Sequence, residues 1–179
     1  MDPNGMFPMS GFPFPRDKSR PMTKEFQQNA DGKPLPPEWV IARLTERAPR
    51  VLETEPVLFA YVYGSYAEGL PHPFSDLDIA IYLKGVDKED TRELLRIEMG
   101  LGAELDRVMA HQLETDVRSI NVLPLAVVGD ILTKGRLIYC RDDEARVDFE
   151  VLVRKLYFDF KPFLDEYYRQ DMERVKALK

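Results

Sequence analysis

The sequence has few of the side chains that cross-link small proteins. Its 179 residues include one cysteine, Cys140, and two histidines. One cysteine excludes a disulfide within the chain, and so few sulfur and imidazole ligands argue against a structural zinc site. Cys140 is therefore interpreted as a small apolar residue at the end of a strand.

The chain also lacks long apolar runs and an excess of positive charge. No apolar run reaches the roughly 18–20 residues that cross a bilayer, and no segment has the pattern of a secretory signal. Acidic residues outnumber basic ones by 31 to 25, for a formal net charge of −6. Since proteins that bind long nucleic acids usually carry a basic surface, this balance favours a small molecule or a protein as substrate. We expect a cytoplasmic protein that makes no direct contact with membranes or nucleic acid.

Proline is unevenly distributed along the chain. Eight of the 14 prolines lie within the first 37 residues. Because proline fixes φ and removes a backbone donor, no regular element is expected there. The composition predicts a flexible, proline-rich arm at 1–37, whose apolar residues could contact a partner, and a single folded domain at 38–179.

Helix and strand patterns alternate along the folded domain. The continuous apolar run at 57–63 predicts a central strand that is buried on both faces. Further strands are predicted at 78–83, 116–123 and 136–140, and helices at 37–48, after Ser65, within 88–113, at 124–134 and from Asp143 onward. Gly100 and Gly102 suggest a bend, Gly135 suggests a helix cap, and Pro162 leaves open whether the last segment is one helix or two. This order predicts an α/β fold, with one sheet flanked by helices and a long helical C-terminal segment.

The segment 64–78, GSYAEGLPHPFSDLD, carries the candidate chemistry. Asp76 and Asp78 are two residues apart at the start of a predicted strand, so their side chains share one face and their Cα atoms lie about 6.5 Å apart. Asp116 begins the third predicted strand. Carboxylates this close repel one another unless a cation lies between them, and Mg²⁺ takes such ligands together with substrate phosphates. The three aspartates therefore predict a magnesium site, in which two ions about 3.5–4 Å apart can bind the attacking and leaving oxygens at phosphorus.

Gly64 and Ser65 form a candidate phosphate site. They follow a buried strand, at the point where a short helix is predicted to begin. Glycine lets the backbone approach a phosphate closely, and amide groups at a helix start point towards a bound anion. The Ser65 hydroxyl can add a hydrogen bond to a terminal phosphate, so pyrophosphate would leave from this end.

Each of these features alone has a simpler explanation. A DxD pair is common on protein surfaces, a Gly-Ser pair after a strand is usually a turn, and Asp116 alone would suit a strand edge. Their order, spacing and strand context together favour a metal and phosphate site. Arg118 lies two residues after Asp116 on the same strand face and could balance the acidic cluster or contact a phosphate. His72 and His111 are interpreted as a loop residue and a residue near a helix end.

The pattern of a Gly-Ser pair, ten residues and then DxD resembles the signature of the nucleotidyltransferase superfamily that includes DNA polymerase β. Over about residues 38–170, the short chain is similar to the minimal nucleotidyltransferase branch, MNT. Residues 116–121, DVRSIN, resemble the stretch that carries the third carboxylate of that family. Residues 157–160, YFDF, and 167–168, YY, resemble the tail of MNT proteins that are paired with HEPN partners.

The resemblance implies the antitoxin of a HEPN/MNT toxin–antitoxin pair, with the mixed, helix-flanked sheet of nucleotidyltransferases. Such antitoxins are similar to adenylyltransferases that use Mg²⁺ to transfer AMP from ATP to a tyrosine of the HEPN ribonuclease toxin. Carried over by position, Asp76 and Asp78 would ligate both magnesium ions. Asp116 would complete one metal site and help to deprotonate the acceptor hydroxyl. Gly64 and Ser65 would hold the triphosphate.

Glu68 departs from this family pattern, since many relatives carry arginine there. We interpret Glu68 as a solvent-facing residue on the short helix; the alternative is a weak ATP affinity or an altered activity. Two other functions stay open from the sequence. One is a small-molecule nucleotidyltransferase, such as an antibiotic-modifying enzyme, although those enzymes usually carry an added domain. The other is a binding module that neutralises a toxin by contact alone, through the arm and the apolar C-terminal helix.

Overall fold

The structure is a computed structural model that describes residues 33–177. The predicted proline-rich arm at 1–37 lies outside the described residues except for its last five positions. Within the described part, the helices are α1 (Pro37–Arg47), α2 (Pro49–Leu52), α3 (Gly64–Ala67), α4 (Thr91–Val108), α5 (Leu125–Lys134) and α6 (Asp143–Ala177). The strands are β1 (Val57–Tyr63), β2 (Leu77–Leu83), β3 (Thr115–Ser119) and β4 (Arg136–Cys140). None of these helices is long and apolar enough to span a membrane.

The four strands form one mixed sheet in the order β3–β2–β1–β4. β1 pairs antiparallel with β2 and with β4, whereas β2 and β3 run parallel. The apolar run at 57–63 is therefore a central strand, and it is buried continuously from Val57 to Val62 because helices cover both faces. The predicted α/β fold, with a mixed sheet between helices, is confirmed.

Each face of the sheet has its own hydrophobic core. The first face is covered by α1 to α4, and its core includes Val40, Leu44, Leu52, Ala60, Val62, Tyr66, Ile79, Ile81, Leu101 and Leu105. The second face is covered by α5 and α6, and its core includes Phe59, Tyr61, Ala80, Ile120, Val128, Ile131, Leu132 and Val153. Successive residues along β1 and β2 alternate between the two cores over most of their length, as the period of a strand requires.

The first turns of α6 anchor this helix to the second face. The ring of Phe149 lies 5.6 Å from the ring of Phe59 and 4.7 Å from the ring of Tyr82. Pro162 lies inside α6, but the helix continues without a break to Ala177. The alternative of one long helix is thus confirmed.

A polar network also joins α6 to β1. The Tyr61 hydroxyl and the Arg146 guanidinium both donate to Oε1 of Glu150. Arg154 donates to Oε2 of the same carboxylate at 3.1 Å. Because Tyr61 is buried within the second-face core, this network fixes the position of α6 along the sheet.

The third strand is shorter than the sequence predicts, since β3 ends at Ser119 and not at residue 123. Asn121 ends the strand. Its side-chain nitrogen donates to the Leu83 carbonyl at 2.8 Å, and its side-chain oxygen accepts from the Leu83 N–H at 2.9 Å. The side chain thus makes the bonds that the backbone of a longer strand would make, and the main chain is free to turn at 120–124.

The predicted glycine positions have local explanations. α4 runs as one uninterrupted helix through Gly100 and Gly102, so neither glycine breaks it. Gly102 instead lets α4 pass close to β3, because a Cβ there would lie 3.3 Å from the Thr115 carbonyl oxygen. Gly135 does end α5, but with a φ of −70° rather than in the left-handed conformation. It is needed because a Cβ would lie 2.4 Å from the Ile131 carbonyl oxygen.

We expect Gly129→Ala to lower the free energy of unfolding by about 2–3 kcal/mol. A Cβ on Gly129 would lie 2.1 Å from Cδ2 and 2.8 Å from Cβ of Tyr157. Because the overlap reaches Cβ, rotation of the ring cannot relieve it, and a larger shift would break the bond from the Tyr157 hydroxyl to Asp130. Gly100→Ala is the matched control, since an added Cβ there meets no atom within 4 Å. Alanine inside that helix should raise stability by about 0.5–1 kcal/mol. Urea unfolding measures both variants, and equal effects would contradict the close packing of α5 against α6.

Candidate functional site

The turn after β1 brings the backbone against a carboxylate. Gly64 has a φ of +68°, in the left-handed region that favours glycine. A Cβ on Gly64 would lie 2.5 Å from Oδ2 of Asp78 and would overlap it. Both facts require glycine at this position. Because α3 begins with Gly64 and Ser65, the predicted Gly-Ser pair lies directly beside Asp78.

Asp78 and Asp116 are neighbours across two parallel strands. Asp78 is paired with Asp116 in the register of β2 and β3, and with Tyr63 in the register of β1 and β2. Paired residues of adjacent strands point to the same face of a sheet. Tyr63, Asp78 and Asp116 therefore form one row across three strands, which we call the carboxylate row. Tyr63 packs against the second-face core, so the row lies on that face.

Asp76 lies one residue before β2 and is partly buried. Burial raises the pKa of the Tyr66 hydroxyl on α3, and the charge of Asp76 raises it further. The structure therefore brings Asp76 towards α3, Asp78 beside Gly64, and Asp116 next to Asp78 on the side away from the turn.

Tyr63 is a residue of the row that the sequence motif does not contain. Burial raises the pKa of its hydroxyl well above the ordinary value, and the charges of Asp78 and Asp116 raise it further. The hydroxyl therefore stays protonated within electrostatic range of both carboxylates. The two tyrosines at alternate positions of the apolar run, Tyr61 and Tyr63, are the sequence signal that could have placed it on this face.

Arg118 pairs with Asp116 at the edge of the carboxylate row. Its Nε lies 3.2 Å from Oδ2 of Asp116, and the two side chains are 50% and 47% exposed. Of the two roles considered from the sequence, this contact matches the balancing of acidic charge. Among residues 33–177, no three His, Cys, Asp or Glu side chains are gathered into a group that could hold an ion. The backbone register aligns the carboxylates, while Asp116 is turned towards Arg118.

Glu98 of α4 is a further carboxylate near the row that the motif lacks. Its Oε1 accepts a hydrogen bond from the Ser119 N–H at 2.8 Å, at the outer edge of β3. Burial raises the pKa of Glu98, against the lowering effects of this N–H and of the Arg118 charge, and the charge of Asp116 raises it further. No spacing rule connects Glu98 to the motif, so its position emerges from the packing of α4 alone.

The donor set of the site suits Mg²⁺. Carboxylate oxygens are the ligands that Mg²⁺ takes in proteins, usually one or two together with substrate phosphates. The space beside Gly64, which a Cβ would fill, keeps the carboxylate of Asp78 against the turn that is predicted to hold phosphate. A divalent cation would also offset the repulsion between Asp78 and Asp116 in adjacent strand positions. Metal binding by Asp76, Asp78 and Asp116 stays a prediction.

A family model described as "Polymerase beta, Nucleotidyltransferase" matches residues 46–144, which is more than half of the chain. The chain belongs to this nucleotidyltransferase family. The matched range includes the Gly-Ser turn, the three predicted aspartates and every strand of the sheet. Among curated proteins, no sequence matches the chain significantly.

Several solved structures share the fold of this nucleotidyltransferase. A toxin–antitoxin crystal structure with AMP-PNP is 18% identical, with a TM-score of 0.56, over 72% of this chain and 98% of that chain. In the structure of a tri-AMPylated Shewanella oneidensis HEPN toxin in complex with an MNT antitoxin, the matched chain is 16% identical to this one. The TM-score is 0.54, over 74% of this chain and 98% of that chain. A toxin–antitoxin structure named MntA-HepT is 15% identical, with a TM-score of 0.52, over 72% and 97%. At such identities the likeness shows the fold alone.

Four other residues considered from the sequence lie around the site or away from it. Ser65 is partly buried in the first turn of α3, and Glu68 is exposed at its end, as the solvent-facing interpretation of Glu68 predicts. His72 is exposed, and its Nδ1 accepts from the Phe74 N–H at 3.0 Å. It therefore shapes the loop between the two halves of the motif. His111 is exposed just beyond α4, with a φ of +57°.

We expect Gly64→Ala to weaken the binding of Mn²⁺, used as a spectroscopic substitute for Mg²⁺, by at least about tenfold. The added methyl group would overlap Oδ2 of Asp78 and displace it, and the left-handed φ would add strain. Gly85→Ala is the matched control, because Gly85 has a φ of +71° and an added Cβ meets nothing within 4 Å. That variant should lose about 1–2 kcal/mol of stability and keep its Mn²⁺ affinity. Electron paramagnetic resonance measures Mn²⁺ binding, and equal losses of affinity in both variants would contradict the contact.

We expect Arg118→Gln to strengthen Mn²⁺ binding by up to about fivefold. Arg118 is a cation that competes for the Asp116 carboxylate, and the exposed pair is worth at most about 1 kcal/mol. Arg107→Gln is the control, since Arg107 forms a similar exposed pair with Glu104 away from the site. A Mn²⁺ titration compares the variants. Weaker binding by the Arg118 variant would mean that Arg118 supports the metal site instead of competing with it.

Proposed function

We propose that the protein is a Mg²⁺-dependent adenylyltransferase that transfers AMP from ATP to a tyrosine hydroxyl of a partner HEPN toxin. In this proposal it acts in the cytoplasm as the antitoxin of the pair. One observation carries the proposal: the carboxylate of Asp78 lies against the backbone of Gly64 and in register with Asp116, in a chain of the nucleotidyltransferase family. A candidate phosphate-binding turn and two candidate metal ligands thus lie side by side.

In the proposed reaction, the acceptor hydroxyl oxygen forms a bond to the α-phosphorus of ATP. The bond from that phosphorus to the oxygen that bridges to the β-phosphate breaks, and pyrophosphate leaves with this electron pair. The backbone at Gly64 and the hydroxyl of Ser65 hold the leaving pyrophosphate. The proton of the acceptor hydroxyl passes to Asp116. In-line transfer needs the attacking and leaving oxygens on opposite sides of phosphorus. Asp116, which would take the proton of the attacking hydroxyl, and the Gly64 turn, which would hold the leaving pyrophosphate, lie on opposite sides of Asp78, in agreement with this need.

Asp76, Asp78 and Asp116 would hold the magnesium. Bound Mg²⁺ supplies positive charge against the negative charge that develops on the phosphoryl oxygens. Tyr63 keeps its proton in this environment, so its hydroxyl can donate a hydrogen bond that orients a carboxylate of the row. The chain itself therefore contributes ligands, orientation and a proton acceptor.

The structural neighbours support the choice of donor and acceptor. One neighbour was crystallised with AMP-PNP, and another joins an MNT antitoxin to a tri-AMPylated HEPN toxin. For this chain, they support ATP as the donor and a HEPN toxin as the partner, since almost the full length of the matched chains is shared. The net charge of −6 also agrees with a protein acceptor better than with a polynucleotide.

Transfer of labelled AMP tests the proposal. The purified protein is mixed with ATP labelled at the α-phosphate, with Mg²⁺, and with the product of the neighbouring gene. We expect label on a tyrosine of that product, and none when EDTA is present. A wild-type protein that binds Mn²⁺ and ATP but leaves this product unlabelled would refute protein adenylylation. Label on an added aminoglycoside would support the small-molecule alternative instead.

Neutralisation by contact alone is a second candidate function, and the exposed apolar side of α6 favours it. Phe163 is 71% exposed and Tyr167 is 64% exposed, and their spacing places them on one side of the helix, where contiguous apolar side chains form a candidate interaction surface. The double change Asp76→Asn and Asp78→Asn separates the two functions in cells that express the toxin. We expect protection from the toxin to be lost. Full protection would show that contact suffices.

A further inference from the structure

The second half of α6 carries an apolar stripe that is open to solvent. Leu156, Phe160, Phe163 and Tyr167 are 46%, 47%, 71% and 64% exposed. Their spacings of four, three and four residues place them on one side of the helix. We call these four residues the outer stripe. Together they expose a few hundred square ångströms, the size of the largest apolar patch on a typical monomer, which is often functional.

The outer stripe borders the side of α6 that packs on the sheet and on α5. Phe149 and Val153 lie seven residues before Leu156 and Phe160, so they occupy the same positions of a heptad repeat. Phe149 packs on the ring of Phe59, and Val153 is 8% exposed. Leu152, one turn before Leu156, is already 57% exposed, whereas Tyr157 next to Leu156 is 4% exposed. The outer stripe thus lies at the solvent edge of the covered side, and its apolar character continues along the later turns.

The spacing of the outer stripe fits a helix as its partner. Side chains that recur every three and four residues form the ridge that packs into the groove of another helix. Polar side chains elsewhere on this half of α6 bond within the helix, as in the contacts of Lys161 with Asp165 at 2.8 Å. In the stripe itself, the Tyr167 hydroxyl is the single polar side-chain group that a partner would have to satisfy.

An acidic border runs along one side of the outer stripe. Asp159, Glu166 and Glu173 are seven residues apart and therefore follow the stripe in a row. Arg169 pairs with Glu166 and Glu173 at 2.8 Å each, and Lys155 lies one turn before Asp159. Three carboxylates against these two cations leave the border with a net negative charge. In an antiparallel pair of two copies, the acidic borders would face each other, and in a parallel pair Glu166 would face Asp171. Like charges disfavour both arrangements, so the border favours a different partner with basic residues.

We propose that the outer stripe docks one helix of a partner protein, and that this helix carries an apolar side bordered by lysine or arginine. The inference rests on the proposed function in one respect, since it takes the toxin to be that partner. It adds the surface of contact and the chemistry of the docked helix.

A designed helical peptide can serve as the probe. The peptide has leucine at the a and d positions of its heptads, lysine at the e and g positions, and a fluorescent label. We expect the full-length protein to bind it, and Phe163→Glu to weaken the binding by at least about tenfold. Phe158→Glu is the matched control, because Phe158 is 54% exposed but lies on the opposite side of α6. That variant should bind within about twofold of wild type.

The outcomes of this experiment separate the possible occupants. Three results would each overturn the proposal. They are no binding of the lysine peptide by wild type, equal losses of binding in the two phenylalanine variants, and tighter binding of a peptide with glutamate at e and g. Sedimentation of the protein alone should show a monomer; a dimer that Phe163→Glu dissociates would make a second copy the occupant and overturn it too. The Asp76→Asn and Asp78→Asn double variant should bind the peptide normally, so a failure of docking is distinguishable from a failure of AMP transfer. Circular dichroism confirms that each variant is folded.

Discussion

Asp78→Asn is expected to lower AMP transfer by at least about 1000-fold and to leave the fold intact. Asn keeps the size of the side chain but removes the negative charge that a divalent cation needs. Asp78 lies between the Gly64 turn and Asp116. Loss of its charge therefore affects both the candidate phosphate-binding turn and the candidate metal site. The change also removes the repulsion between Asp78 and Asp116. Without metal, the free energy of unfolding should therefore stay the same or rise by up to about 1 kcal/mol.

Asp148→Asn is the control for this change of charge. Asp148 is exposed on α6, and its replacement should alter neither transfer nor stability. Single-turnover transfer of labelled AMP and urea unfolding in EDTA measure the two quantities. An Asp78 variant that keeps a tenth of the wild-type rate would count against the assigned role, and so would a loss of transfer that merely follows a loss of folding.

Glu150→Gln is expected to lower the free energy of unfolding by about 2–3 kcal/mol at neutral pH. The carboxylate accepts from the Tyr61 hydroxyl, from Arg146 and from Arg154. Arg146 is 19% exposed and would keep Asp143 as a partner at 2.7 Å, but a neutral amide would remove the charge that binds Arg146 and Arg154 and would weaken the bond from the buried Tyr61 hydroxyl. Glu46→Gln, at an exposed position of α1, should change stability by less than about 0.5 kcal/mol. Urea unfolding compares the three proteins.

The pH dependence of stability offers a second view of Glu150. Burial alone would raise the pKa of Glu150, but hydrogen bonds from Tyr61 and Arg146 and the nearby arginine charges lower it below the ordinary value of 4.5. The unfolded state then takes up the proton first as the pH falls, so the contribution of Glu150 is full above the unfolded pKa and is lost as the pH falls through the folded one. The stability difference between wild type and Glu150→Gln should be constant from about pH 7 to about pH 5.5 and shrink below about pH 4.5. An unchanged difference in strong acid would contradict the network.

Local patterns predicted most of the fold, and long-range contacts account for the errors. The apolar run of β1 and the spacing of apolar residues in α4 are signals within one element, and both elements formed where they were predicted. The end of β3 depends on Asn121 bonding to Leu83, which is 38 residues away along the chain. No local pattern at 120–123 distinguishes this turn from a longer strand. In α6, the apolar residues predicted one apolar face, but which of them are covered depends on how the sheet and α5 pack: Tyr157 is 4% exposed, and its neighbour Leu156 is 46% exposed.

The candidate site divides in the same way. The Gly64 turn and the two-residue spacing of Asp76 and Asp78 are local, so the motif identified them. The contact of Arg118 with Asp116 follows from the strand period. Tyr63 joins the row through the register of β1 with β2, and Glu98 approaches through the packing of α4 on β3. Both relationships connect segments that are distant in sequence, so the motif could not include these two residues.

Calorimetric titration of the full-length protein with a non-hydrolysable ATP analogue tests the central claim most directly. Wild type and Asp78→Asn are titrated with and without Mg²⁺. We expect the analogue to bind wild type with a dissociation constant between about 1 μM and 1 mM when Mg²⁺ is present, and Asp78→Asn to bind at least about tenfold more weakly. Equal affinities for the two proteins, or no association of the analogue with wild type, would contradict a metal and phosphate site built from Gly64, Asp78 and Asp116.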